Sequence, residues 1–251
     1  MSEITTYGAE TDYSGLLGIY DIFKQMALIC IPIRAQTVPE LKKIIKKTEK
    51  NADIIELWVD SLANGQKPAE LMKLIRKPVI IVNKGKEEKG RFRGGESTRV
   101  KILSSYLKAG AAFVDVALET DPHLLKDLLK SRRKNSKVIL SYHDFRSTPS
   151  LETLRKIRDR GFRLGADIVK IATTCNKMED NLVILNLLMD SAKSQKPCIA
   201  LCMGEKGRIS RLLASACGSY IIYLAPDGKN RTAPGQLTLD EYSRISSLLK
   251  L

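Results

Sequence analysis

From residue 27 onward, short apolar runs alternate along the chain with longer amphipathic segments. Most of the runs place isoleucine and valine at consecutive positions, which is typical of strands buried on both faces of a parallel sheet. The segments between them have apolar residues at helical spacing and basic residues on the opposite face. The apolar runs occupy residues 27–33, 52–60, 78–84, 112–119, 137–145, 166–174, 197–204 and 219–225.

Eight strands that are each followed by a helix predict an α/β protein with a closed (β/α)₈ TIM barrel. An open, doubly wound sheet is the alternative, but no GxGxxG motif follows the first run and no Walker lysine motif occurs. We expect residues 1–251 to form a single barrel domain. Residues 1–26 precede the first strand and are expected to close the barrel bottom as a short hairpin or plug.

Local signals support the predicted helix boundaries. Ser150 follows Thr148-Pro149 and is expected to cap a helix that starts at Leu151, because a serine side chain can accept a hydrogen bond from the first turn. Gly110 and Gly161 lie near predicted helix ends.

The composition is that of a globular protein with a full core, since 43% of the 251 residues are hydrophobic and 28% are charged. No apolar run approaches the roughly 20 residues that span a bilayer, and the first residues do not resemble a signal peptide. The five cysteines form no CxxC pair, which argues against a disulfide framework and a zinc site. We therefore expect a cytoplasmic protein whose cysteines are small core residues.

The formal net charge of +14 is unusual and suggests nucleic-acid binding as one explanation. The basic residues, however, are spread over predicted helix exteriors, and no aromatic-interleaved basic tract of the kind that stacks bases occurs. A solvated basic surface that steers an acidic substrate is favoured, without a nucleic-acid partner.

In a barrel of this type, chemistry gathers at the carboxyl ends of the strands. Lys170 interrupts the sixth apolar run, where loss of solvation is expected to lower its pKa toward neutrality. A neutral amine can attack a carbonyl and form an iminium. The alternative is a structural lysine paired with a buried carboxylate, for which the candidates are Glu56, Asp115 and Glu119.

His143 ends the fifth run, next to the strand of Lys170, and is the candidate general acid and base. His123 opens a predicted helix and is expected at the surface. In the loop after the third run, Glu88 could orient His143, although its neighbour Glu87 could be confused with it and a solvated acidic residue is an equal alternative.

Two later segments carry candidate binding residues. Arg211 lies near the start of the helix after the seventh strand, where a guanidinium is expected to bind a substrate carboxylate. The segment from Thr232 to Gln236 follows the eighth strand, and Gln236 offers a donor and an acceptor to a hydroxylated ring.

On these residues the chain resembles the type I 3-dehydroquinate dehydratases of the shikimate pathway. The resemblance covers nearly the whole barrel, and its segments occur in the family's order: ICIPI, DIIELWVD, EKGRFRGGE, SYHDFRSTPS, GADIVKIA, CMGEKGRISR and TAPGQLTLDE. It implies a homodimeric lyase that dehydrates the small anionic ketone 3-dehydroquinate by syn elimination, without metal or organic cofactor.

The resemblance also implies a role for each matching residue. Lys170 would form the Schiff base, His143 would move the protons and Glu88 would support His143. The implied substrate-binding residues are Glu56, Trp58, Lys84, Arg211, Thr232 and Gln236, with Met203 and Phe145 as apolar walls.

The chain departs from the family pattern in the binding residues. The family usually has Glu-X-Arg-X-Asp on strand two, whereas this chain has Trp58 at the arginine position, and the usual arginine of strand three is Lys84. We expect dehydratase activity to survive these changes with altered binding; the alternative is that Arg91 or Arg93 supplies the missing charge. Two other functions stay open: another Schiff-base lyase or aldolase of the same barrel type, and a non-catalytic relative that binds an anion.

Overall fold

The computed structural model describes residues 27–63 and 67–249, and the expected N-terminal hairpin or plug in residues 1–26 lies outside them. Eight parallel strands form one sheet in the order β7-β6-β5-β4-β3-β2-β1-β8. The amide of Tyr220 donates to the carbonyl of Cys198 at 2.8 Å, which joins the two edges of the sheet. The strands are β1 Leu28–Ile33, β2 Ile54–Trp58, β3 Val79–Val82, β4 Phe113–Ala117, β5 Lys137–Asp144, β6 Ile168–Thr174, β7 Cys198–Met203 and β8 Ile221–Tyr223.

A helix follows each strand, so the predicted TIM barrel is confirmed. Ser150 caps α5 as predicted, since its hydroxyl accepts from the Thr153 amide, and His123 is exposed at the start of α4. The helices are α1 Val38–Thr48, α2 Pro68–Met72, α3 Glu96–Ala109, α4 Pro122–Ser131, α5 Leu151–Arg163, α6 Asp180–Lys193, α7 Arg208–Leu213 and α8 Leu239–Leu249. A single domain over all of residues 1–251 remains a prediction.

The strands divide their side chains between two apolar layers, because successive residues of a strand point to opposite faces. In β3, Val79 and Ile81 pack outward against the helices, whereas Ile80 and Val82 pack inside the barrel. The inner cluster also contains Ile54, Phe113, Ile139 and Ile168. Two residues further along each of those strands stand Glu56, Asp115, Ser141 and Lys170, so a charged layer lies above the apolar one.

Two further predictions came from the composition: that the cysteines are small core residues, and that no segment crosses a membrane. Cys30, Cys175, Cys198 and Cys202 are buried and Cys217 is half-buried, and all are free thiols. No helix in residues 27–63 and 67–249 is both long and apolar enough to cross a bilayer.

Candidate active site

Lys170 lies at the centre of the charged layer, in contact with two carboxylates from other strands. Its Nζ is 3.1 Å from Asp115 Oδ2 and 3.4 Å from Glu56 Oε2. Burial alone would lower the pKa of Lys170, but attraction to Asp115 and then Glu56 outweighs it, and the pKa lies well above its ordinary value. The expected fall toward neutrality is therefore wrong for the free protein, in which Lys170 is an ammonium.

Glu119, the third carboxylate considered for Lys170, pairs instead with Arg160 at the surface. Tyr223 on β8 takes a place beside the lysine that the sequence did not indicate. Its ring lies 4.4 Å from the ammonium, and its buried hydroxyl has no hydrogen-bond partner within the described residues.

Lys84 belongs to the same charged layer as Lys170 and is only 2% exposed. Its Nζ is 2.7 Å from Glu88 Oε1, 2.7 Å from Asp115 Oδ1 and 2.8 Å from Ser141 Oγ. These contacts use all three donors of the ammonium. Lys84 does not line the cavity, so the expectation that it contacts substrate is wrong; it holds Glu88 and Asp115 in place.

His143 faces Glu88, and not Glu87, which is exposed. Nδ1 of His143 is 3.2 Å from Glu88 Oε1, within ion-pairing distance, although the angle is not that of a directed hydrogen bond. Burial lowers the pKa of His143 and the proximity of Glu88 offsets this only in part, so the imidazole is neutral near pH 7. A neutral, buried imidazole can accept a proton.

Glu88 is kept ionised by neighbours from three elements. Burial acts to raise its pKa, but Lys84 and then His143 outweigh burial and lower the pKa to about 2. Arg99 of α3, which is buried, adds a contact of 3.4 Å to Glu88 Oε2. Arg99 was not predicted because nothing in the helical pattern of α3 distinguishes it from a surface arginine.

The loop that carries Glu88 is fixed at both ends by Asp60. Its carboxylate accepts from the Lys84 amide at 3.2 Å and from the Arg91 amide at 2.9 Å. Gly90 lies against the same backbone, where an added Cβ would be 1.9 Å from the Lys84 carbonyl oxygen. Asp60 therefore sets the position of Glu88 without entering the cavity.

A cavity opens above Lys170 at the carboxyl ends of the strands. All the predicted site residues except Lys84 line it: Glu56, Trp58, Glu88, His143, Phe145, Lys170, Met203, Arg211, Thr232 and Gln236. Phe145 stacks on His143 with ring centroids 5.8 Å apart. Residues that were not predicted also line it, among them Arg34, Lys89, Leu201, Tyr223 and Pro234.

Arg91 and Arg93 do not line this cavity. They line a separate cavity on the outer side of Asp60, with Asn83 and Tyr106. The side chain of Arg93 is exposed and donates to the Phe92 carbonyl. The alternative in which Arg91 or Arg93 supplies the missing charge therefore gains no support, because neither residue lines the cavity that contains Lys170.

Arg211 is a buried guanidinium without a carboxylate contact in the part of the chain described. Its Nη2 donates to the Pro234 carbonyl at 3.3 Å, and its Nε has no hydrogen-bond partner there. Burial lowers the pKa of Arg211 to about 10, so the group stays charged near pH 7. A buried cation with unused donors at a cavity wall is suited to an anion.

The segment after β8 lies closed over the end of β7. The Gly204 amide donates to the Pro234 carbonyl at 3.2 Å, and Gly235 has φ of +72° with no room for a Cβ against Gly204. Gln236 Oε1 accepts from the amide and hydroxyl of Thr232 at 2.8 and 3.2 Å. The NH₂ group of Gln236 takes no part in these contacts.

Among residues 27–63 and 67–249, no cluster of three or more His, Cys, Asp or Glu side chains is placed to hold a metal ion. The expectation that the protein needs no metal and no organic cofactor remains a prediction.

Glu88→Gln should shift the pH dependence of any reaction that uses His143 as a base. The carboxylate raises the pKa of the imidazole, so its loss moves the acid limb of kcat/KM to lower pH. We expect kcat to fall roughly 10- to 100-fold, from the loss of one contact to a charged group. Steady-state pH profiles measure both effects, and Glu87→Gln is the matched control. An unchanged limb would contradict the role of Glu88.

The fold and cavity define a class: a (β/α)₈ barrel enzyme with a buried lysine, a neutral imidazole and a buried arginine at the carboxyl ends of its strands. Residues 29–251 match the family described as type I 3-dehydroquinase. The chain belongs to this family.

Individual relatives agree with this assignment. A 3-dehydroquinate dehydratase of Methanococcus maripaludis is 33% identical over 226 residues, which cover 89% of this chain and 100% of that protein. The bifunctional 3-dehydroquinate dehydratase/shikimate dehydrogenase of Arabidopsis thaliana is 32% identical over 96% of this chain, which spans only 40% of that protein.

Solved structures show the same fold. The type I 3-dehydroquinate dehydratase of Clostridium difficile superimposes with a TM-score of 0.81 at 27% identity, over 89% of this chain and 92% of that chain. A 3-hexulose-6-phosphate synthase reaches a TM-score of 0.55 at 16% identity, which shows a shared barrel and nothing further.

Proposed function

We propose that this chain dehydrates 3-dehydroquinate to 3-dehydroshikimate through a Schiff base on Lys170, with His143 as the general acid and base. The chain is a lyase of the type I 3-dehydroquinase family, whose reaction is the third step of the shikimate pathway. The observation that carries the residue roles is the buried Lys170 in a cavity shared with His143 and with Arg211, whose guanidinium contacts no carboxylate of the described residues.

Lys170 must lose a proton before it attacks the C3 ketone, because the resting form is an ammonium. We assign this proton to the neutral imidazole of His143, since the nearby carboxylates of Asp115 and Glu56 stabilise the cation and are themselves poor bases. The amine then adds to C3 to give a carbinolamine. The imidazolium of His143 returns its proton to the carbinolamine hydroxyl, which leaves as water, so that an iminium and a neutral imidazole result. Asp115 and Glu56, which hold the ammonium, stabilise the iminium in the same place.

The elimination follows from the electron demand of the iminium. It makes the C2 proton acidic, and His143 removes that proton to give an enamine. The enamine expels the C1 hydroxyl, which leaves as water with the proton that His143 returns. Hydrolysis of the conjugated iminium releases the enone product and restores Lys170. Glu88 keeps the imidazole oriented through both transfers.

The remaining cavity residues would hold the ring. Arg211 would bind the carboxylate, and Thr232 and Gln236 would bind ring hydroxyls from the closed segment. Phe145 and Met203 would supply the apolar walls, and the Glu56 carboxylate would accept a hydrogen bond from a ring hydroxyl near C3. These roles rest on the geometry of the free protein together with the family resemblance.

Incubation with 3-dehydroquinate, while the absorbance of the conjugated enone is followed, tests this function. Dehydration creates the enone, whereas an aldolase of the same barrel type would cleave a carbon–carbon bond and create none. Growth of the enone band with release of one water supports the dehydratase. No enone under conditions in which the substrate binds would favour the anion-binding alternative.

We also propose that the enzyme is a homodimer in the cytoplasm. Free thiols, most of them buried, fit a reducing compartment. The helices α6 and α7 adjoin, since Oδ1 of Asn181 in α6 accepts from the Ser210 amide of α7 at 3.0 Å. Near this junction Met178, Leu182 and Ile209 are 49%, 60% and 40% exposed, and a second copy would cover them.

Leu182→Glu should weaken the dimer by roughly 30-fold or more, because it places a charge in the centre of an apolar contact. Sedimentation velocity over a range of protein concentrations measures this. Leu248→Glu, at an exposed leucine on α8, is the matched control and should leave the dimer unchanged. Equal behaviour of the two variants would place the interface elsewhere.

A further inference from the structure

The wall of the cavity opposite Lys170 contains a guanidinium that comes from β1. Arg34 directly follows this strand, and β1 pairs with β2 in a register that sets Ile33 beside Leu57. The next residue on each strand is therefore Arg34 on one side and Trp58 on the other. Both line the cavity that contains Lys170.

Arg34 and Trp58 form one unit. The guanidinium carbon lies 3.5 Å from the centre of the indole ring, a stacked cation–π contact. The indole Nε1 donates to Glu56 Oε1 at 2.7 Å, and the other oxygen of Glu56 contacts Lys170. Trp58 thus supports Arg34 with its face and orients Glu56 with its edge.

The guanidinium of Arg34 has a donor that is not used within the described residues. Its Nε is buried and has no hydrogen-bond partner in residues 27–63 and 67–249. Burial lowers the pKa of Arg34, although the group stays charged near pH 7, since Asp60 and Glu56 partly offset the shift. A desolvated, stacked guanidinium with an unused N–H is arranged to bind a ligand in the cavity.

The geometry of the substrate decides which group Arg34 binds. In the proposed mechanism Lys170 binds C3 and His143 faces C2, so the carboxylate on C1, beyond C2, is placed at Arg211. The C4 and C5 hydroxyls lie on the other side of C3, toward Glu56. Arg34 lies on that side, because it stacks on Trp58 and the Trp58 indole donates to Glu56.

We propose that Arg34, supported on Trp58, binds the C4 and C5 hydroxyls and determines specificity for the vicinal diol. This inference rests on the proposed function. It explains how the chain functions with an indole at position 58: the guanidinium comes from the end of β1 and the indole carries it.

Arg34→Ala should lower kcat/KM for 3-dehydroquinate roughly 10- to 100-fold, as expected for lost hydrogen bonds from a charged donor. The probe is 1-hydroxy-3-oxocyclohexane-1-carboxylate, which keeps the carboxylate, the C1 hydroxyl and the ketone but lacks the C4 and C5 hydroxyls. Its inhibition constant should change by less than about threefold in the same variant. Arg93→Ala, at an exposed arginine outside the cavity, is the control and should match the wild type.

A double-mutant cycle tests the support by Trp58. In a Trp58→Ala background, the loss caused by Arg34→Ala should shrink to less than about threefold, because the guanidinium has already lost its stacking partner. Circular dichroism and borohydride labelling of Lys170 should be unchanged in Arg34→Ala, which separates this result from a failure to fold or of the lysine chemistry.

Equal losses for 3-dehydroquinate and the diol-free probe would overturn the proposal and place Arg34 at the carboxylate. No loss for 3-dehydroquinate would overturn it as well. Additive effects of Arg34→Ala and Trp58→Ala would overturn the role of the stack. If the wild type formed no enone at all, the proposed function would fail, and that outcome is distinct from each of these.

Discussion

Lys170→Ala is expected to lower kcat by roughly 10⁴-fold or more, because no other amine in the cavity can form the iminium. The Nζ of Lys89 does approach the cavity, but it lies over the Phe145 ring, with 4.6 Å to the centroid. Without an iminium the C2 proton is no more acidic than that of an ordinary ketone. Enone formation by the purified variant, at matched protein concentration, measures the loss.

The same substitution should lower the free energy of unfolding. Lys170 has a raised pKa in the folded protein, so it contributes stability that is fully present below its ordinary pKa of 10.5 and is lost only as pH rises through the higher folded value. At pH 7 that contribution is complete, and its removal leaves Glu56 without its cation. Removal of one partner from a buried ion pair costs about 3–5 kcal/mol.

Lys170→Met keeps most of the side-chain volume and removes the amine, so it excludes a cavity at position 170 as the cause of the lost activity. It should be as inactive as the alanine variant. Lys101→Ala, at an exposed lysine of α3, should match the wild type in both activity and urea denaturation. Residual turnover within a hundredfold of wild type in Lys170→Met would show that the amine is not the nucleophile.

His143→Ala is the second large effect, with an expected fall in kcat of roughly 10²- to 10⁴-fold, the range for removal of a general acid–base group. The structure also fixes the pH dependence. The pKa of His143 is lowered, so the wild-type kcat/KM should fall only as pH drops through a value below the ordinary 6.5. The imidazole is protonated there and cannot accept the C2 proton.

The pH profile of His143→Ala should lack this acid limb, because the group that titrates is gone. His123→Ala is the control and should keep both the rate and the limb, since that imidazole is exposed on α4. A limb that persists in the variant, or a loss of less than tenfold, would assign the proton transfers to another residue.

The sequence predicted the barrel and most of the cavity because both depend on local patterns. Consecutive isoleucines and valines mark the strands. Because side chains alternate between the two faces of a strand, a polar residue within such a run, as Lys170 is, points either into the barrel or toward the helices. The carboxyl ends of the strands then bring His143, Glu56 and Arg211 together without further information.

What could not be predicted depends on distances between strands that are far apart in the chain. The pKa of Lys170 was expected to fall because burial was visible in the sequence, whereas its contact with Asp115 and Glu56 was not. Lys84 was assigned to the substrate because it stands where the family usually has an arginine. Its burial in contact with Asp115 and Glu88 depends on the packing of the strands and could not be read from the sequence.

The residue that replaces the arginine absent from position 58 could not be predicted either, for the same reason. Arg91 and Arg93 are close to the site in sequence, but neither lines the cavity that contains Lys170. Arg34 reaches the site because β1 lies beside β2, a pairing that the barrel order implies but that gives no side-chain direction. Its position as the first charged residue after a strand was the available signal.

Reductive trapping tests the central claim most directly. The protein is incubated with 3-dehydroquinate, reduced with borohydride, digested and examined by mass spectrometry. The predicted result is a single adduct of substrate or product mass on the peptide that contains Lys170, absent from Lys170→Met. An enone-forming protein that gave no adduct, or gave one on a different lysine, would contradict the Schiff base at Lys170.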